Sequence, residues 1–553
     1  MPQRPSLSTP ATLVATGLAA ERGGRHILRG VSLAVSPRDR VGVVGPNGSG
    51  KSTLLAVLAG RLARSAGRVE LQPPQATVGL LAQEHDRMAG EVVRELLARE
   101  VGAAGAEAAL ADAAAALGSG SGDAEVRYAV ALERWLALGV DTFAARSSSV
   151  LGEVGLDEGV LDRPVPSLSG GERAKVALAA VLLSRFDVLL LDEPTNDLDF
   201  TGLELLERFV LARAGGLVVV SHDRSFLERT VTSVLEIDEH DGSARHFDGG
   251  WSAFLEERRT QRRHAEEEHA KYRSSRAKLL DRARREREWA TSGARREKRR
   301  PQDSDKIARS FRLNRTEKLA ARARMTERAL DRLGTADKPW EGWELRYSIE
   351  SAPRSGSVVC RLDGAVVRRG GFRLGPLDLE IDWAERVVLL GPNGSGKTTL
   401  IGAVLGRLPL EAGARYLGPS VVVGELGQDR SARFAERRLL EIFEAESGLV
   451  TSEARTLLAK FGLGAAHVGR PWGTLSPGER TRAELARFQA IGVNLLVLDE
   501  PTNHLDLPAI EQLEGALAGF AGTLLLVSHD RRLLDAVELD RTVDVASLTS
   551  TRR

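Results

Sequence analysis

Two short stretches of this chain are nearly identical and lie far apart. GPNGSGKST runs from Gly45 to Thr53, and GPNGSGKTT from Gly391 to Thr399. Both fit G-x-x-x-x-G-K-[ST], the spacing of a loop that cradles phosphates. Glycines let the backbone curl so that its N–H groups face phosphate oxygens, and the helix that starts behind the loop adds a favourable dipole. Gly45, Pro46, Asn47, Gly48, Ser49 and Gly50 would line one cradle. Gly391, Pro392, Asn393, Gly394, Ser395 and Gly396 would line the other. Lys51 and Lys397 are expected to reach the β/γ-phosphates, Ser52 and Thr398 to hold Mg²⁺, and Thr53 and Thr399 to complete the loops.

The same companions follow each loop in the same order. VLLLDE ends at Asp192 and Glu193, and LLVLDE at Asp499 and Glu500. An apolar strand that ends in a carboxylate beside a phosphate loop places Asp192 or Asp499 on the Mg²⁺ shell. The next carboxylate, Glu193 or Glu500, is then positioned to polarise an attacking water. LSGGE spans Leu168 to Glu172 and LSPGE spans Leu475 to Glu479. A serine and glycines opening a helix make a second anion-binding terminus, which marks Ser169, Gly171, Ser476 and Gly478. Taken alone, each also reads as an ordinary helix cap. SHDRSFL begins at Ser221 and SHDRRLL at Ser528, each after an apolar run. His222 and His529 are thereby placed to sense a γ-phosphate, although a lone histidine at a strand end is usually structural. Gln83 and Gln428 follow further strand-like runs, and only their place in the order separates them from surface glutamines.

This ordered set resembles the ATP-binding-cassette family, twice over and across nearly the whole chain. The resemblance implies an α/β fold with two P-loop nucleotide-binding domains that use ATP and Mg²⁺. It assigns Gln83 and Gln428 to the nucleotide and its metal, Glu193 and Glu500 with His222 and His529 to catalysis, and Ser169 and Ser476 to the signature. It also implies head-to-tail closure, in which Ser476 caps the ATP held by Lys51 and Ser169 the ATP held by Lys397. Three departures stand out. Pro477 takes the middle glycine position of the second signature and lacks an N–H. Asp197 stands where the second copy has His504. Arg22 and Arg369 occupy the place where family members usually offer an aromatic to adenine; a guanidinium stacks on a base as well.

The elements that must position these groups follow from composition. The chain has 553 residues, 42% hydrophobic and 28% charged, which fits several globular domains. One cysteine, Cys360, excludes an internal disulfide framework. No apolar run reaches the 18 or so residues of a membrane span, and the run at residues 11–20 is too interrupted for a signal peptide. A net charge of +1 hides an asymmetry: residues 256–333 carry 26 Lys and Arg against 14 Asp and Glu. Such a basic segment suggests a polyanionic partner. It reads as a long helix over 252–292, a break bracketed by Gly293 and Pro301, and a second helix carrying Leu319, Ala323, Thr326, Leu330 and Leu333, together an antiparallel hairpin. Its tip region offers Trp289, Arg295, Arg296, Lys298, Arg299 and Arg300 for phosphate contact and stacking on RNA. The first copy also carries an insertion near 99–146, with two helical stretches around the GSGSG at Gly118 to Gly122. The expected organisation is one cassette over 1–250, a long α-helical hairpin linker over 251–335 and a second cassette over 336–553.

Tandem cassettes, no membrane domain, a charged hairpin and an arm in the first cassette together resemble the ABC-F family. The segment from Trp289 onward is most similar to its actinobacterial antibiotic-resistance branch. The resemblance implies a cytoplasmic, monomeric ATPase that binds ribosomal RNA and peptidyl-tRNA at the ribosomal tRNA exit site. It further implies a hairpin reaching toward the peptidyl-transferase centre to displace antibiotics, with ATP hydrolysis driving release. A housekeeping translation factor of the same family, a soluble ATPase subunit of a transporter and a DNA-repair cassette are the competing readings.

Overall fold

The computed structural model describes residues 11–81, 90–117, 123–238, 241–298, 354, 356–426, 435–503 and 505–549, with Ala321, Met325, Thr326 and Arg328. The chain divides into two units, residues 1–254 with 344–553, and residues 255–343.

The first unit holds two similar halves. The first half runs β1 (Thr12–Arg22), β2 (Arg25–Val35), β3 (Arg40–Val44), α1 (Lys51–Leu58), β4 (Ala66–Gln72), β5 (Val78–Leu81), α2 (Val93–Glu100), α3 (Ala103–Leu117), α4 (Ala124–Leu138), α5 (Phe143–Glu153), α6 (Gly170–Leu183), β6 (Val188–Asp192), α7 (Phe200–Ala212), β7 (Gly216–Val220), α8 (Arg224–Thr230), β8 (Ser233–Ile237) and β9 (Ala244–Asp248). The central sheet has the order β5-β6-β7-β3-β8-β9, parallel except for the β8–β9 pair. Beside it lies an antiparallel sheet ordered β2-β1-β4. Strands β6 and β7 read VLLLD and GLVVV because both of their faces are covered, as parallel strands require. Val188, Leu190, Val218 and Val220 are fully buried in one core with Leu54 and Leu55 of α1.

After the linker the pattern repeats with β10 (Val358–Arg369), β11 (Phe372–Asp382), β12 (Arg386–Leu390), α10 (Lys397–Val404), β13 (Leu410–Leu417), β14 (Val423–Leu426), α11 (Leu439–Ser447), α12 (Thr451–Lys460), α13 (Pro477–Ile491), β15 (Leu495–Asp499), α14 (Leu507–Ala518), β16 (Thr523–Val527), α15 (Arg531–Ala536) and β17 (Arg541–Asp544). Its central sheet, β14-β15-β16-β12-β17, is parallel throughout. Among the described residues the first half adds β9 and also α3 and α4, which pack on one another inside the segment expected to form an arm. Ala103, Ala106 and Ala113 of α3 and Ala124 and Leu138 of α4 are buried.

The linker opens with α9 (Trp251–Lys298), one helix of 48 residues. At 1.5 Å per residue it is about 72 Å long. In its first turn Phe254 packs on both Phe247 and Trp251, with ring centroids 5.1 Å apart in each pair. Farther along, polar pairs one turn apart support it, such as Arg285 with Asp281 at 2.6 Å. The structure corrects the expected break: α9 runs through Gly293 to Lys298. A helical glycine costs only about 1 kcal/mol against alanine, too little to stop a run of Arg, Glu, Lys and Ala. The expected tip loop and most of the second helix, including Arg299, Arg300, Pro301, Leu319, Ala323, Leu330 and Leu333, lie outside the described residues. Thr326 is helical and buried.

Candidate functional site

Each phosphate loop turns on glycines that no other residue replaces easily. Gly45, Gly48 and Gly50 have φ of 153°, 88° and 101°; Gly391, Gly394 and Gly396 have 145°, 84° and 100°. A Cβ on Gly50 would also sit 2.5 Å from Ile27 Cγ2. The lysines that follow are buried, and each folds back on its own loop. Lys51 Nζ donates to Gly45 O at 2.8 Å and Pro46 O at 3.1 Å; Lys397 Nζ donates to Gly391 O at 2.6 Å. Burial lowers both amine pKa values, while the nearby carboxylates Glu193 and Glu500 act the other way. An ammonium held on neutral carbonyls gains by turning to phosphate oxygens. Ser49 Oγ and Ser395 Oγ are buried in the loops without hydrogen-bond partners, the state of a polar cradle built for a ligand.

The hydroxyls and aspartates expected to hold Mg²⁺ lie side by side in each half. Thr398 Oγ1 donates to Asp499 Oδ2 at 2.8 Å, and Ser52 makes the matching hydrogen bond to Asp192. Burial raises both aspartate pKa values. A hydroxyl and a desolvated carboxylate side by side fit a magnesium ion that keeps its remaining positions for waters and substrate phosphates. Gln83 and Gln428 lie outside the described residues.

Glu193 and Glu500 directly follow their strands with φ of 51° and 48°, a left-handed backbone that a glutamate rarely adopts. Burial pushes both carboxyls up to about 7. Glu193 Oε2 and Glu500 Oε1 are buried without hydrogen-bond partners. His222 Nε2 stands 3.2 Å from Glu193 Oε1, and His529 Nε2 stands 3.4 Å from Glu500 Oε1, neither aligned as a hydrogen bond. Burial, aided by the neighbouring lysine, lowers His222 to about 3 and His529 to about 4, so both rings are neutral. His529 Nε2 also lies 3.2 Å from Lys397 Nζ. Each site thus gathers a carboxylate of raised basicity, a neutral imidazole and an ammonium, a set suited to activating water against a phosphate.

Ser169 and Ser476 cap α6 and α13. Ser169 Oγ accepts from Glu172 N at 3.3 Å, and Ser476 Oγ accepts from Glu479 N at 3.2 Å. Both glutamates return the bond to the serine N–H, closing capping boxes. Hydrogen bonding from Arg163 holds Glu172 down to about 2. Pro477 takes the first helical position of α13, where its fixed φ fits without strain. The second signature therefore presents one backbone donor fewer than the first, which has Gly170 there.

The two halves meet head to tail. A Cβ on Gly171 of the first signature would lie 3.0 Å from Asn393 Cβ in the second phosphate loop. Asp199 Oδ2 accepts from Asn393 N at 3.1 Å, and Asp506 Oδ2 accepts from Asn47 N at 3.2 Å. Between them lies a cavity of about 320 Å³ whose lining includes Gly171, Asp197, His222, Asn393, Glu500 and His529. Ion pairs also join the two halves: Arg224 with Glu514, Arg531 with Glu207 at 3.2 Å, and Arg532 with Glu228 at 3.6 Å.

Sequence reasoning missed Phe372, whose ring stands 2.9 Å from where a Cβ on Gly396 would be. Its signal was an aromatic directly after the Gly370-Gly371 turn. Arg369 is exposed at the end of β10, and Arg22 ends β1. Trp289, Arg295, Arg296 and Lys298 belong to α9.

Comparison with known proteins shows the family. The family model described as ABC transporter matches residues 28–196 and 374–503. The tylosin resistance ATP-binding protein TlrC of Streptomyces fradiae is 37% identical over 94% of both chains. The energy-dependent translational throttle protein EttA of Mycobacterium tuberculosis is 33% identical over 93% of this chain and 88% of its own. Among solved structures, the archaeal ribosome recycling factor aABCE1 in complex with stalk protein aP1 covers 95% of this chain and 86% of its own, with TM-score 0.53 and 20% identity, a likeness of fold. No helix among the described residues is long and apolar enough to cross a membrane. With paired cassettes, a buried carboxylate beside each phosphate loop and relatives matched over most of their length, the chain belongs to the ABC-F branch of the ATP-binding-cassette family and is an ATPase.

Proposed function

We propose that this ATPase acts on the ribosome in the cytoplasm, binds at the tRNA exit site and protects the ribosome from antibiotics, with hydrolysis driving its release. The observation that carries this reading is the 37% identity, over 94% of both chains, to a protein named for tylosin resistance. The basic segment 256–333 is the part of the chain whose charge suits ribosomal RNA and peptidyl-tRNA, and we assign it the contacts toward the peptidyl-transferase centre.

In the cassettes, the glycine loops bind the ATP phosphates and Lys51 and Lys397 turn from their own carbonyls toward them. Magnesium, when bound, supplies positive charge to the phosphate oxygens, and Ser52 with Asp192 and Thr398 with Asp499 would hold it. Glu193 and Glu500 accept a proton from the attacking water, a task suited to a carboxyl that titrates at about 7. His222 and His529 hold the γ-phosphate side. The signatures led by Ser169 and Ser476 add helix N-terminal donors across the interface. Closed cassettes define the ribosome-bound state, and hydrolysis reopens them.

Expression in a sensitive host, against a panel of ribosome-targeting antibiotics, tests the reading. Resistance to one class, lost in Lys51→Ala with Lys397→Ala, supports it. The 33% identity to a translational throttle protein favours a second reading as a translation factor. That reading predicts an unchanged panel with altered translation rates.

A further inference from the structure

The segments that follow the two catalytic-site glutamates face each other across the cassettes, and they are not alike. The first reads Asn196-Asp197-Leu198-Asp199-Phe200 and the second Asn503-His504-Leu505-Asp506-Leu507. Asp199 and Asp506 make matching bonds to the opposite phosphate loops. Asp197 and Phe200 have partners of different residue types, His504 and Leu507, at the corresponding positions.

Asp197 adopts φ of 60°, a left-handed conformation that Asp and Asn tolerate better than most residues. From that turn its main-chain oxygen accepts from Asn393 Nδ2 at 2.7 Å, and its Oδ1 accepts from Asn503 Nδ2 at 3.0 Å. One residue of the first cassette therefore holds the phosphate loop of the second and the turn beyond Glu500. Three residues on, the Phe200 ring meets His529 edge-on, with centroids 5.0 Å apart and planes at 80°. The Arg531 guanidinium lies 5.7 Å from the centre of the same ring. An aromatic edge contact of this kind fixes a ring's orientation more tightly than an aliphatic side chain does. His529 is the imidazole within reach of Lys397 and Glu500.

We propose that Asp197 and Phe200 form a brace from the first cassette that positions Asn393, Asn503 and His529, so that turnover at the Lys397–Glu500 site depends on these two residues and turnover at the Lys51–Glu193 site does not. Neither brace residue is assigned a contact with ATP; both are positioning residues. The proposal rests on the assignment of one ATP site to each lysine–glutamate pair.

The test isolates each site. Glu193→Gln leaves hydrolysis to Glu500, and Glu500→Gln leaves it to Glu193. Phe200→Leu and Asp197→His install the second cassette's own residues. In the Glu193→Gln background each should lower kcat about tenfold with KM for ATP little changed, the order expected when reacting groups are held slightly out of place. In the Glu500→Gln background the loss should stay below about twofold, which also shows that the variants fold. Phe200→Tyr and Asp197→Asn keep the ring and the accepting oxygen and should restore turnover. Equal losses in both backgrounds, or no loss in the first, overturn the brace. If neither parent background hydrolyses ATP, the assignment of independent sites fails, and amide exchange then decides the brace. Phe200→Leu should speed exchange in residues 391–396 and leave 45–50 unchanged; equal effects on both loops refute it.

Discussion

A carboxylate held ready for chemistry is held at a cost to the fold, and Glu193→Gln should reveal it. Burial raises the Glu193 carboxyl from 4.5 to about 7, and one of its oxygens has no hydrogen-bond partner. Between those two pH values the folded chain keeps a proton that the unfolded chain has released, so stability falls as pH rises through this window. Below 4.5 both states are protonated and the term vanishes; above 7 it is fully expressed. The gap corresponds to about 3 kcal/mol, an upper value because the pocket relaxes around the charge. Glutamine has nearly the same shape and no charge. Without nucleotide or magnesium, Glu193→Gln should therefore be more stable than the parent at pH 8 and equal to it near pH 4.5. For the first cassette unfolding as a domain of roughly 250 residues, 1 kcal/mol moves Tm by roughly 2–4 °C, so a rise of about 5–10 °C is expected at pH 8. Thermal unfolding followed by circular dichroism across that pH range measures it. A Tm gain that does not depend on pH, or a loss at pH 8, would refute the claim that this carboxyl is buried and uncompensated.

Three further outcomes follow from the geometry. Asp506→Ala removes the acceptor of the Asn47 N–H and the cap of α14, so it should weaken ATP-driven cassette closure and cost about 1 kcal/mol of stability, read by small-angle scattering with ATP and by Tm. Pro477→Gly restores a backbone donor in the second signature and should raise turnover in the Glu500→Gln background, with little change in the Glu193→Gln background. Replacing Arg295, Arg296, Arg299 and Arg300 by Ala should leave ATPase activity intact and flatten the salt dependence of ribosome co-sedimentation; an unchanged slope removes these residues from the contact.

Much of the site was legible because its chemistry lies in residue types at short spacing. A phosphate loop, a strand ending in Asp-Glu and a serine before glycines are each local patterns, and their repetition in one order left little room for accident. The left-handed backbone at Glu193 and Glu500 was not legible, since nothing in the glutamate itself announces it. Nor were the contacts of Asp197 and Asp199 with Asn393, because nearly two hundred residues separate the partners. Phe372 escaped because the reading fixed on the arginine at the end of the preceding strand. In the linker, Gly293 was read as a stop, but a single glycine among strong helix formers does not end a helix. Ser169 and Ser476 are both helix caps, as the local pattern suggests, and beside the first of them Gly171 approaches Asn393 of the opposite phosphate loop.

The account centres on hydrolysis at Glu193 and Glu500 resetting a closed, ribosome-bound state. The most direct measurement is co-sedimentation of the Glu193→Gln, Glu500→Gln double variant with 70S particles, in ATP and in ADP, with phosphate release followed in the same samples. The account predicts phosphate release at least about 100-fold below the parent, the double variant retained on 70S particles in ATP, and release of both proteins in ADP. Parent-like phosphate release, or a double variant that leaves the particles in ATP as readily as in ADP, would contradict it.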